Sequence, residues 1–153
     1  MKQILFATLF ILQAVATAAV LQAGASLPSI NLKDQHEKPY ALGPDTRLVF
    51  FASEMGGSRL MTKALDTLPP TALKDKNAVY IADISGMPEI FSTIVAVPRL
   101  QKMAYPVALI RDAREGASLP RKPGTVTVLK VDAGKVSAIE FAGDLQQIKG
   151  HLK

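Results

Sequence analysis

The chain of 153 residues has no cysteine and no tryptophan, and its two histidines are His36 and His151. Without a thiol there is no disulfide scaffold, no zinc–thiolate site, no iron–sulfur cluster and no cysteine nucleophile. Acid is missing from the first 25 residues, which hold 18 hydrophobic side chains and one base, Lys2. The other 128 residues carry 17 bases and 13 acids. Hydrophobic residues are 48% of the chain, which suits a packed domain and excludes a long disordered tail.

The N-terminal imbalance points to an address. Met1-Lys2 leads into Ile4-Leu5-Phe6-Ala7-Thr8-Leu9-Phe10-Ile11-Leu12, and small residues follow at Ala16-Thr17-Ala18 and Ala23-Gly24-Ala25. A basic start, an apolar middle and an A-x-A exit describe a secretory signal peptide spanning 1–25, cleaved after Ala18 or Ala25. No polar stripe marks this stretch as an amphipathic core helix. Ile4 to Leu21 is also just long enough for a retained membrane anchor, the alternative for localisation. The expected product is an exported single domain, 26–153, periplasmic or secreted. Such a compartment permits disulfides that this chain does not use, so its core alone must stabilise it.

Along that domain, apolar runs at Arg47–Ser53 and Ala78–Asp83 are of strand length and have no polar alternation. They suit strands covered on both faces. Between them, Glu54-Met55-Gly56-Gly57-Ser58 is a break, and Arg59–Leu68 has apolar residues at helical spacing up to Pro69-Pro70. Met87–Met103 has a helical pattern interrupted by Pro98, which predicts one kinked helix or two short ones. Tyr105–Asp112 is a third strand with Pro106 near its start. Residues 113–124 are a polar loop, Thr125–Asp132 and Val136–Phe141 a hairpin, and Leu145–Leu152 a helix capped by Asp144. The order β-α-β-α-β-β-β-α defines an α/β domain.

The pattern resembles the thioredoxin-like superfamily, in particular its redoxin branch of peroxiredoxins and cytochrome-maturation-type thioredoxins. Leu27–Pro39 is similar to that branch's N-terminal hairpin, "LPxfxLxDxxGkp"; Leu48–Leu60 to its strand, active loop and helix; Thr127–Leu152 to its closing hairpin and helix. The resemblance implies a three-layer sandwich, a mixed central sheet with flanking helices. It also implies a Cys-x-x-Cys motif where this chain has Met55-Gly56-Gly57-Ser58. A thiolate there is stabilised by the helix N-terminus. Neither a thioether nor a hydroxyl can carry thiol–disulfide exchange. A cis-proline usually opens the strand facing this loop; the alignment puts Thr125 at that place, with Pro123 two residues earlier.

Each candidate residue has a structural reading beside its functional one. Ser58 is expected to cap the helix, since neither histidine is easily placed as its base. Gly56-Gly57 either cradles an anion or permits a tight turn. Met55, Met61, Met87 and Met103 with His36 could be soft copper(I) ligands, but core gap-filling is the expectation, and no metal or cofactor is predicted. Asp83 and Ser85, at the carboxyl edge of a parallel sheet, are the best candidates for binding. Arg111, Arg114, Arg121, Lys122 and Lys130 gather around the 113–124 loop, yet Asp112 and Glu115 interrupt them and no aromatic platform lies nearby. A solvated loop rather than a nucleic-acid site is expected. The sequence therefore points to a binding or accessory module for a protein or peptide partner, with membrane contact only through an uncleaved N-terminus. A non-thiol enzyme using Ser58, Asp83 or Ser85 is the alternative.

Overall fold

The computed structural model describes residues 19–153. The run from Ile4 and the exit at Ala16-Thr17-Ala18 lie outside the described residues. Seven strands form one sheet, β1 (Asn31–Asp34), β2 (Pro39–Ala41), β3 (Leu48–Ala52), β4 (Ala78–Asp83), β5 (Ala108–Ile110), β6 (Val126–Asp132) and β7 (Lys135–Ala142). Their spatial order is β2-β1-β5-β4-β3-β6-β7. The central three run parallel, while β1 and β6 flank them antiparallel.

The unbroken apolar runs have the expected cause. Successive side chains point to opposite faces of a strand, so a strand covered on both sides must be apolar throughout. In β3, Phe50 and Ala52 join one core cluster and Val49 and Phe51 the other; in β4, Tyr80 and Ala82 face one way, Val79 and Ile81 the other. The first cluster lies under the helices. It receives Met61, Ala64 and Leu65 from α1 (Met55–Leu65), Leu73 from α2 (Ala72–Asp75), Leu100 from α4 (Val97–Gln101), and Ile148 and Leu152 from α5 (Leu145–Leu152). The second is covered by irregular chain bearing Leu21, Ile30 and Leu119.

That second cover brings residues ahead of Ser26 into the fold. Leu21 donates its N–H to Ser118 O at 2.8 Å, Gly24 to Val136 O at 2.7 Å, and Ser26 bridges to Lys135. Residues ahead of Ser26 thus pack with the rest of the described chain.

Departures from the sequence reading are local. The helix expected from Arg59 begins at Met55 and ends at Leu65, so Met55–Ser58 is its first turn rather than a loop before it. The short α2 was not foreseen. The third strand contracts to Ala108–Ile110 because Pro106 has no N–H to give a ladder. The buried Gln35 side chain spans the gap instead, donating to Tyr105 O at 2.8 Å and accepting from Val107 N at 2.7 Å. Met87–Met103 contains α3 (Glu89–Phe91), a wide π turn at Ser92–Ala96, then α4. Pro98 in α4 cannot bond the Ile94 carbonyl four residues back and crowds it, which the wider turn relieves.

Three turns carry non-glycine residues in left-handed backbone, one of them at Asn77 (φ 48°) just before β4. Ala133 (φ 47°) and Gly134 (φ 75°) make the two-residue β6–β7 turn, whose twist matches the strands only with both φ positive. Glu37 (φ 62°) stands in the β1–β2 turn, where the quoted hairpin pattern has glycine. Asp34 Oδ1 holds that turn, accepting from His36 N at 2.8 Å and Lys38 N at 2.9 Å.

Candidate functional site

The junction between β3 and α1 holds Met55-Gly56-Gly57-Ser58. Glu54 occupies the N-cap with extended backbone, and its side chain leaves the helix uncapped. Its Oε1 instead accepts from Gly124 N, tying the junction to the loop before β6. Ser58 is not the cap that was expected. It lies one turn inside α1, and its Oγ sits 3.0 Å from the Tyr80 hydroxyl. Burial raises the Tyr80 hydroxyl far above the ordinary phenol range, although the Ser58 bond offsets part of this. The two hydroxyls therefore form a neutral pair, and among the described residues neither is hydrogen-bonded to a histidine or carboxylate. His151 Nε2 lies 3.2 Å from Glu140, and His36 belongs to the β1–β2 turn.

Gly57 has a different role from the flexible turn expected of it. A Cβ at Gly57 would lie 2.5 Å from Thr125 O, whereas one at Gly56 would meet only ordinary contacts. The glycine lets α1 approach the Thr125 backbone, so Met55–Ser58 and Thr125 do face each other. No cis peptide bond occurs among the described residues.

Asp83 and Ser85 lie beside this junction, at the end of β4. Asp83 Oδ1 accepts from Ser85 N at 2.9 Å and from Ser85 Oγ at 2.6 Å. Its Oδ2 is 2.9 Å from Arg121 Nη1, an ion-pair contact outside hydrogen-bond alignment, and the side chain is only 3% exposed. A cleft of about 280 Å³ opens here, between Glu54, Met55, Asp83, Ser85, Met87 and Arg121.

A larger groove of about 570 Å³ runs from the same junction between α1 and the helical stretch from α3 to α4. Met55, Met87, Phe91, Val95, Leu100 and Met103 give it apolar surface, and Arg59, Lys63 and Arg99 stand on its walls. Beyond its rim, Ile90 and Ile94 are 75% and 68% exposed. Contiguous exposed apolar surface of this kind marks interaction sites. The methionines divide by role: Met61 is fully buried, Met87 and Met103 pack partly against the core, and Met55 is exposed.

The basic loop is a contrast. Arg111 pairs with Glu37, Arg114 with Asp112, Arg121 with Asp83 and Lys130 with Glu140, while Lys122 lies over the Phe141 ring. Hydrogen bonding to Arg114 lowers Asp112 to about 2, and Lys130 holds Glu140 below the usual carboxylate range. The gathering seen in sequence is a set of separate pairs.

Sequence reasoning missed the groove itself. Ile90, Phe91, Ile94 and Val95 recur at helical spacing, the signal that ordinarily marks a core-facing stripe.

No family model and no curated protein matches the chain. Solved structures do. A peroxidoxin from Mycobacterium tuberculosis aligns at a TM-score of 0.55 and 17% identity, covering 86% of this chain and 94% of that one. The thioredoxin domain of a thiol-disulfide oxidoreductase from Bacteroides vulgatus gives 0.52 and 18%, covering 87% and 99%. A thio-disulfide isomerase from Thermus thermophilus gives 0.50 and 14%, covering 86% and 97%. The fold is thioredoxin-like, in a chain with no cysteine. At these identities the likeness concerns the fold alone.

Proposed function

We propose that this chain is an exported, thiol-free binding or accessory module that holds a protein or peptide partner where redoxins carry their active motif. The observation that carries this reading is the apolar groove opening at Met55. It stays exposed although the residues beside it can neither exchange disulfides nor reduce peroxide. Capture by in-cell crosslinking of the native chain is the test. A partner retained by the unaltered chain and lost with Phe91→Asp supports the module, and measurable insulin reduction or peroxide consumption overturns it.

The smaller cleft is the feature in favour of a non-thiol enzyme, because Glu54, Asp83, Ser85 and Arg121 converge there. Against it, Asp83 is already occupied by Ser85 and Arg121, and no histidine lines either opening.

Export rests on the basic start, apolar run and small-residue exits. The packing of Leu21 and Gly24 supports the exit after Ala18, since cleavage after Ala25 would remove both from the sheet face they cover. N-terminal sequencing of the mature protein is expected to begin at Ala19. A retained Met1 would replace export with anchoring.

A further inference from the structure

We propose that the groove between α1 and the α3–α4 stretch docks an acidic peptide segment of a partner protein, anchored by apolar side chains. This rests on the groove being a binding surface and adds what it selects. Arg59 and Lys63 are four residues apart on α1 and so share a face; Arg99 stands on the opposite wall. Among the described residues none of the three makes an ion pair, and the polar neighbour of Arg59 is the Met55 thioether at 3.5 Å.

The acids lining the groove do not cancel these charges. Glu54 is held by Gly124 N, and Asp83 by Ser85 and Arg121. That leaves Asp66, at the C-terminal end of α1, as the one open carboxylate among the lining residues. An apolar floor between cationic walls is complementary to carboxylates flanking apolar anchors. Such charges select partners and steer their approach. A second copy of the chain fits poorly, since it brings the same basic walls and a net charge of +5. The exposed Ile90 and Ile94 extend the apolar surface past the groove, which favours a polypeptide over a small ligand.

The test is selection from a random peptide display library against the full chain, followed by fluorescence anisotropy. Enriched peptides are expected to combine apolar residues with Asp or Glu. Each exposed charge pair contributes about two- to fivefold, so replacing the peptide acids by their amides should weaken binding about tenfold. The double variant Arg59→Glu, Arg99→Glu should weaken the acidic peptide by at least that much and weaken the amide form by a smaller factor. Phe91→Asp should abolish both, with circular dichroism confirming that each variant folds. Equal affinity for acidic and amide peptides overturns the charge selectivity while the groove still stands as a docking site. Binding that survives Phe91→Asp overturns the groove reading and this proposal together. Self-association or sedimentation with phosphatidylserine vesicles, if lost with Phe91→Asp, assigns the groove to a second copy or a membrane and also overturns it.

Discussion

Two regions of this molecule are rich in basic residues, and they differ in what surrounds the charge. Around the 111–124 loop, Arg111, Arg114 and Arg121 each have an acid within ion-pair distance. Along the groove, Arg59, Lys63 and Arg99 have none among the described residues, and an apolar floor lies between them. Basic residues crowded in sequence can therefore be local fastening. Basic residues far apart in sequence can converge on one surface and leave their charge available. The two regions differ less in how many cations they hold than in whether acids already occupy them.

Removing Arg121, the fastening cation whose partner is buried, should be costly, and removing a groove cation should not. Arg121→Ala leaves the buried Asp83 carboxylate without its counterion and uncovers the Phe51 ring, 5.3 Å away. The expected loss is about 2–4 kcal/mol by urea denaturation, reduced from a fully buried pair because Arg121 reaches solvent. Asp83→Asn in the same chain should restore part of it. Arg99→Ala should change stability by less than about 0.5 kcal/mol. Comparable losses for Arg121→Ala and Arg99→Ala would erase the distinction.

The β3–α1 junction can be probed the same way. Gly57→Ala forces a methyl against Thr125 O and should destabilise by about 1–3 kcal/mol. Gly56→Ala has room and should stabilise by about 0.5–1 kcal/mol through helix propensity. Thermal melts of the two variants should move in opposite directions.

Alkaline titration separates the helix-covered core from both charged regions. Tyr80 is raised when folded, mainly by burial, and burial likewise raises Tyr105 to about 12. Unfolded tyrosines ionise near 10, so this contribution is complete below pH 10 and is lost as pH rises through the folded values. Denaturation midpoints should fall above pH 10, and Tyr80→Phe should flatten that fall. A variant falling as steeply as the unaltered chain would show that Tyr80 is not involved.

A modest effect is expected at the β6–β7 turn. Ala133→Gly removes the strain of a left-handed alanine and should stabilise by about 1 kcal/mol, read as a higher melting temperature. An unchanged or lower melting temperature would mean that the turn carries no such strain.

The sequence by itself determined the sheet's buried centre, because Leu48–Ala52 and Ala78–Asp83 have no polar face to expose. It determined the capped last helix, since Asp144 Oδ1 reaches Gln147 N at 2.9 Å within its own turn. It also excluded thiol chemistry, a matter of composition alone. Tertiary structure alone decided the rest of the site. Ser58 is a helix residue bonded to Tyr80, 22 positions away, and Gly57 is required by a backbone 68 positions away. Arg59 and Arg99 face each other only because α1 and the α3–α4 stretch pack on the same side of the sheet. Strand alternation, capping and composition act over a few residues, so local sequence encodes them. Charge pairing and groove formation join distant parts of the chain, and their outcome exists only once the sheet has brought those parts together.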